Sequence, residues 1–158
     1  MPKQLIVNNT PFDYPTEGDE PGWGGPATAW ACEVTNVLSN LLGPNDILET
    51  SFNIANNQAS AADVTGLIFN AASVRSAIVE YSVFRISDTN PSGNTETGEM
   101  HIVYDNAVGF SLGIGGIVGN SGCNFTITPA GQIQYVSSDI GSTNYVGIMK
   151  FKARALQQ

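Results

Sequence analysis

From residue 45 onward, short runs of β-branched and aromatic residues alternate with clusters of Gly, Asn, Pro and Ser about every ten residues. β-Branched and aromatic side chains pack well on a pleated surface, and the intervening residues favour turns. The runs predict strands at residues 50–54, 64–69, 77–86, 99–104, 109–114, 124–127, 132–136 and 146–155. About eight short strands favour a mainly β fold, an antiparallel β-sandwich that is jelly-roll-like.

The final run indicates how such a strand is oriented. Apolar and basic residues alternate along it, in the order Met149, Lys150, Phe151, Lys152, Ala153 and Arg154. Successive side chains of a strand point to opposite faces of the sheet. One face is therefore predicted to be buried and the other to be solvated.

The first 26 residues have a different texture, with five prolines interleaved with Gly, Asp and Glu. Regular structure is not expected there, because proline removes a backbone donor and fixes φ. The stretch also carries Phe12, Tyr14 and Trp23. Aromatic residues in an extended arm usually fill a pocket on their own domain or on a neighbour. We interpret the stretch as a docking arm, and the alternative is a plain tether.

One short helix is predicted over residues 27–42, opened by Pro26 and closed by Gly43 and the proline after it. Its apolar residues are spaced by four, three and four positions along one face: Trp30, Val34, Val37 and Leu41. Such a stripe packs on its own domain or associates around a symmetry axis, and both readings stay open. The chain thus divides into an N-terminal attachment segment, residues 1–44, and a β-sandwich module, residues 45–158.

The charge balance bears on the choice of partner. The chain has 14 acidic and 6 basic residues, for a net charge of -8. Affinity for nucleic acids comes mainly from Lys and Arg, so a nucleic-acid partner is not expected. No signal peptide is visible, and no stretch approaches the ~18 apolar residues of a membrane span, so we expect no membrane partner and folding in a cytosol.

Two motifs suggest ligand chemistry when they are read alone. Residues 88–99 match the spacing of an EF-hand calcium loop, but β-type residues flank them where helices are needed. A polar hairpin loop is predicted, with a bound cation as the alternative.

In the glycine-rich residues 113–119, Val118 takes the place of the third glycine of a dinucleotide fingerprint. A bulged or tightly turned β connection is predicted there.

The residue pattern does not favour catalysis. His101 is the only histidine, it alternates with Met100 and Ile102, and no nucleophile motif accompanies it. Cys32 and Cys123 lie far apart, and a reducing compartment favours two buried free thiols over a disulfide. We expect a non-enzymatic protein with no cofactor and no metal.

Several stretches resemble modules of tailed-bacteriophage fibre and head-decoration proteins. In the predicted module these are SFNIANNQ (51–58), ADVTGLIF (62–69), VRS (74–76), IVEYSVFR (78–85), ETGEMHIVY (96–104) and FTITPAGQIQY (125–135). Upstream they are YP (14–15), PGWG (21–24) and ATAWA (27–31), which look like the attachment regions of such fibres.

The resemblance implies a virion structural protein, typically a homotrimer, that is made in the host bacterial cytoplasm and carried on the virion surface. The first hypothesis is a capsid-attached fibre or decoration protein. In it, the arm aromatics and the helix stripe form the attachment and oligomerisation site toward other virion proteins.

Two further hypotheses stay open. A tail-fibre or receptor-binding subunit that recognises host surface glycan needs exposed aromatic residues at the distal end of the module. Candidates for that cluster are Tyr104, Phe110, Tyr135 and Tyr145. An enzyme such as a polysaccharide depolymerase needs paired carboxylates in a cleft and normally a far longer chain.

Overall fold

The computed structural model describes residues 3–7, 10–14, 24–41 and 43–158. The chain divides after Pro44 into two compact units. None of the helices in the described ranges is long and apolar enough to cross a membrane.

The first unit contains a β-hairpin and a helix. Strand β1 (Lys3–Val7) pairs antiparallel with β2 (Thr10–Tyr14). The expectation that residues 1–26 lack regular structure is therefore wrong for this part of them. The apolar run at residues 5–7 favours a strand, and two residues are enough to connect the strands of a hairpin. Helix α1 (Gly24–Leu41) confirms the predicted helix, but it begins three residues earlier than predicted and includes Pro26 in its first turn, where proline is tolerated.

The second unit, which is described in full, consists of antiparallel strands. These are β3 (Ile47–Asn53), β4 (Ala62–Ile68), β5 (Val74–Ser87), β6 (Asn90–Asp105), β7 (Gly109–Gly119), β8 (Cys123–Ile127), β9 (Gln132–Ser137) and β10 (Val146–Gln157). Five of them form one sheet in the order β3-β10-β5-β6-β7, and three form the other in the order β4-β9-β8. Every predicted strand is present, and the mainly β sandwich is confirmed.

The two sheets share one apolar core. Across it, the ring of Tyr81 on β5 meets the ring of Phe125 on β8, with centroids 5.2 Å apart. The alternation predicted for the last strand is confirmed, since Met149 and Phe151 are buried while the basic residues between them face outward. Burying an apolar side chain of this size stabilises the fold by roughly 2 kcal/mol.

Strands β5 and β6 form a long hairpin with a two-residue turn at positions 88 and 89. Strand β6 begins at Asn90, well before the predicted residue 99. The polar residues at its start have low β propensity, but pairing with β5 from Ser87 to Ser76 holds them in the sheet.

Both cysteines are free, as predicted. Cys123 is buried in the sandwich core, also as predicted. Cys32 is exposed, contrary to the prediction that both thiols are buried. It lies two positions after Trp30 and therefore about 200° around the helix from the apolar stripe.

Candidate functional site

The apolar stripe of α1 is the part of the predicted attachment site that the structure describes. Trp30, Val34 and Val37 lie on one side of the helix and are partly buried, and Leu38 beside them is 54% exposed. Four other predicted attachment residues have side chains outside the described part of the chain: Phe12, Tyr14, Trp23 and Leu41. A stripe that stays partly exposed offers a packing surface for a second helix.

In the second unit, one end of the sandwich is organised by Arg85, whose side chain is completely buried. Its Nε donates to the Tyr145 hydroxyl at 3.0 Å, and its Nη1 donates to the Ser121 carbonyl at 2.8 Å. Its Nη2 donates to Asn56 Oδ1 at 3.1 Å and to the Ser138 carbonyl. One guanidinium thus ties together three loops that are distant in sequence.

Glu96 extends this polar cluster toward the core. Its Oε1 accepts from the Tyr81 hydroxyl at 2.8 Å, and its Oε2 accepts from the backbone N–H and the hydroxyl of Ser121, both at 2.9 Å. Burial, with the Glu96 carboxylate adding to it, holds the pKa of Tyr81 far above its ordinary value. Burial also raises the pKa of the Cys123 thiol. Arg85, Glu96 and Tyr81 all make hydrogen bonds within the cluster. The cluster is therefore suited to holding strand ends together.

Sequence reasoning does not single out this cluster, although a signal for Arg85 exists. The residue follows Tyr81 and Val83 at the period-two positions of β5 that face the core. A charge at such a position is rare unless it is paired, so it marks a buried polar network.

The second notable surface is the side of the five-stranded sheet that points away from the core, here called the outer face. Its exposed apolar residues are Ile78, Phe84, Val103, Val118, Val146, Ile148 and Leu156. A sheet with one solvated side normally carries polar residues on that side. Several exposed apolar side chains on one face are typical of an interaction site.

A charged band crosses the middle of the outer face. The Nζ of Lys150 lies 3.1 Å from Glu49 Oε1, and the Nζ of Lys152 lies 2.8 Å from Glu80 Oε2. Glu99 continues the band on β6, directly opposite Glu80. The basic residues of β10 are therefore solvated, as predicted, and two of them, Lys150 and Lys152, are paired with carboxylates of neighbouring strands.

One end of the outer face is concave. The concavity has a volume of about 560 Å³, and its lining includes Ser82, Phe84, Thr97, Val118, Ile148 and Lys150. Its lining is mainly apolar, and residues with hydroxyl groups, Glu96 and Lys150 also contribute to it. It is large enough to take an apolar side chain of a partner.

The twelve residues that match a calcium loop are spread along the β5–β6 hairpin. Asp88 lies in the turn, and its Oδ2 accepts from Asn144 Nδ2 at 2.9 Å. Glu99 lies far along β6, roughly 30 Å from the start of that strand at ~3.3 Å per residue. The ligand positions of an EF-hand thus do not converge. The predicted hairpin is confirmed, as paired strands with a tight turn in place of a polar loop.

The glycine-rich residues 113–119 form the second half of the edge strand β7. The register shifts opposite them, between Thr97 and Glu99, and Gly116 has a positive φ of 61°. The predicted bulged β connection is confirmed.

His101 lies on the outer face, with Nε2 3.5 Å from Glu99 Oε2 and a side chain that is 55% exposed. Its place in the β6 strand agrees with a structural reading. Within the described ranges, no three residues of the His, Cys, Asp and Glu types are grouped so that they could hold a metal ion.

The aromatic residues proposed for a distal glycan site do not form an exposed cluster, so that expectation is wrong. Phe110 and Tyr135 lie in the core, at 4% and 3% exposure. Tyr104 packs on Phe110 with centroids 5.0 Å apart, and the Tyr145 hydroxyl contacts Arg85. Strand pairing turns Phe110 and Tyr135 inward, which spacing along the chain did not reveal.

Comparison with known protein families gives no match, and comparison with curated proteins gives none. Among solved structures, the chain is similar to the Acinetobacter phage vB_ApiP_P1 tailspike protein, with a TM-score of 0.43 and 12% sequence identity. The likeness covers 71% of this chain and 22% of that chain. A likeness at this level carries no conclusion about function.

Proposed function

We propose that the chain is a non-enzymatic structural protein of a tailed-phage virion, a trimeric fibre or decoration protein attached to the capsid. Residues 1–44 anchor and oligomerise it, and the sandwich of residues 45–158 is displayed outward on the virion surface. The resemblance of the chain to fibre and head-decoration modules motivates the proposal. The observation that carries it is a helix with a partly exposed apolar stripe in a unit of its own, apart from a sandwich that has its own core.

The sandwich is suited to display because its interior is well satisfied. In the described part of the chain, every buried side-chain nitrogen and oxygen has a hydrogen-bond partner. The interior charge of Arg85 is held by four neighbouring residues, so the loops at that end are fixed in place. A module of this kind holds its surface in one conformation.

The helix is suited to oligomerise because its stripe is apolar and carries little charge nearby. Glu33 is the one charged residue within α1 (Gly24–Leu41). Stripes from three copies meet on a common axis when the same residues of each helix face it. In such a bundle, Val37 and Leu38 lose the solvent exposure that they have in one copy.

A matched pair of helix variants tests this proposal in the full chain. Val37→Asp places a carboxylate on the stripe, and Asn36→Asp places the same group on the exposed side of the helix. We expect Val37→Asp to lose the trimer and incorporation into particles, while Asn36→Asp keeps both. Mass is measured by light scattering, incorporation by sedimentation of particles, and helix content by circular dichroism. A trimeric, normally incorporated Val37→Asp protein contradicts the proposal.

Removal of residues 1–44 tests the anchor directly. We expect the remaining chain to be soluble and to stay out of the particles. Its normal incorporation would contradict an N-terminal anchor. Electron microscopy of particles that carry a label at Gln158 then shows whether the protein lies on the head or on the tail.

A further inference from the structure

We infer that the outer face of the five-stranded sheet is a self-association surface that is covered by a second copy of this chain. The inference goes beyond the proposed function, because it assigns a contact to the sandwich and does not depend on the helix.

The apolar residues of the outer face form two groups. Ile78, Val103 and Leu156 lie toward one end of the strands, at 48%, 53% and 71% exposure. Phe84, Ile148 and Val118 surround the concavity at the other end, at 41%, 36% and 69% exposure. Exposed side chains of this size, grouped on one face, gain free energy when a partner removes them from water.

The small net charge of the outer face favours a second copy of the chain as the partner. Four carboxylates and three cations lie on it, so it carries a net charge of only -1: Glu49, Glu80, Glu99, Asp105, Lys150, Lys152 and Arg154. The chain as a whole has 14 acidic and only 6 basic residues, so most of its negative charge lies on other surfaces. Two copies with a net charge of -8 repel one another unless they meet through a neutral surface. The outer face, at a net charge of -1, comes near this condition, whereas a polyanion or a strongly basic partner gains little from it.

The size of the outer face agrees with a specific contact. Five strands at ~4.8 Å spacing and about ten residues at ~3.3 Å rise give a face of roughly 800 Å². This is about the area that each partner buries in a protein interface of standard size. The concavity beside Phe84 lets a side chain of the second copy enter the face, as anchor residues do at interface centres.

A matched pair of isoleucine variants of the full chain tests the inference. Ile78→Glu adds a carboxylate to the outer face, and Ile68→Glu adds one to the other sheet, where Ile68 is 57% exposed. Sedimentation velocity over a range of concentrations measures self-association. We expect Ile78→Glu to weaken it about tenfold or more and Ile68→Glu to leave it unchanged. Equal self-association of Ile78→Glu and the wild type overturns the inference.

Two further variants separate the outer-face contact from the contact proposed for the helix. Ile148→Glu probes the concave end of the outer face, and it replaces Ile78→Glu if circular dichroism shows that variant to be unfolded. Val37→Asp alters the helix only. If it alone abolishes all self-association, the outer-face contact is overturned while the proposed function stands. If only the outer-face variants separate the copies, the role of the helix fails and the outer-face contact stands.

The same variants distinguish a second copy from another virion protein. If the wild-type chain is monomeric at every concentration and Ile78→Glu still lowers incorporation into particles, the outer face contacts a different protein. That result overturns the assignment of a second copy.

Discussion

The guanidinium of Arg85 is buried near the C-terminal end of β5. A buried charge without hydrogen-bond partners would cost several kcal/mol there. Its donors are taken up by carbonyl, amide and hydroxyl oxygens, and its Cζ lies 5.7 Å from the centroid of the Tyr145 ring. The planar guanidinium supplies several fixed donors to three loops at once.

Replacing this residue tests its role. Arg85→Met keeps much of the volume but leaves the Ser121 carbonyl without its donor and takes one of two donors from the Ser138 carbonyl. We expect a loss of about 3 kcal/mol in the free energy of unfolding, since each buried group left unpaired costs about 1–3 kcal/mol. The control is Arg75→Met at an exposed position of the same strand, which should stay within about 0.5 kcal/mol of the wild type. Urea denaturation measures both, and equal stabilities contradict the role.

The buried phenols predict a dependence of stability on pH. Burial raises the pKa of Tyr81 and of Tyr145 above the ordinary value of about 10. Their contribution to stability is therefore complete below about pH 10 and is lost as the pH rises above it. We expect the free energy of unfolding to fall above about pH 10, and to fall less steeply in Tyr81→Phe. Denaturation series at increasing pH measure the slope, and equal slopes contradict the assignment.

At the scale of the elements, two positions with positive φ require glycine for different reasons. Gly131 has a φ of 95° in the turn before β9, and a Cβ there would collide with the Phe69 carbonyl and the Phe110 ring. Gly116 has a φ of 61° in the β7 bulge, and a Cβ there would meet open space. The first position needs glycine for conformation and for space, and the second needs it for conformation alone.

This difference gives a matched pair of alanine variants. Gly116→Ala should cost about 1 kcal/mol, the strain of a left-handed conformation. Gly131→Ala should cost about 3 kcal/mol or more, because the backbone must also move away from the collision. Thermal or chemical denaturation of both variants measures the difference. Similar costs would show that the turn before β9 adapts without strain.

The same elements show why sequence-based boundaries shift. Strand β6 begins at Asn90 because β5 pairs with it, and β7 continues through its glycines because β6 pairs with it. Neither extension is favoured by local propensity. Pairing partners that are distant in sequence decide where a strand ends.

At the scale of the whole molecule, the two compact units predict separate folding. The sandwich core consists of residues from Ile54 to Ala153, all within the second unit. We expect a fragment of residues 45–158 to unfold in one cooperative step, with the denaturation midpoint of the sandwich in the full chain. Circular dichroism and fluorescence should give coincident transitions. A fragment without a cooperative transition shows that the sandwich depends on the first 44 residues.

The candidate surfaces were predictable to different degrees. The stripe of Trp30, Val34 and Val37 follows from helical spacing, since local periodicity decides which helix residues share a face. The Arg85 cluster and the outer face join residues from five or more segments, and no local pattern shows which segments become neighbours. The hairpin formed by β1 and β2 was missed because the prolines near it outweighed a short apolar run.

The sequence by itself determined the mainly β sandwich, the alternation along β10 and the helix with its apolar stripe, because each follows from short-range periodicity and turn chemistry. Only the tertiary structure decided that the apparent calcium loop is paired strand, that Phe110 and Tyr135 belong to the core, and that one outward sheet face combines exposed apolar groups with nearly balanced charges. These features depend on strand order and register, which are set by contacts between residues far apart in the chain.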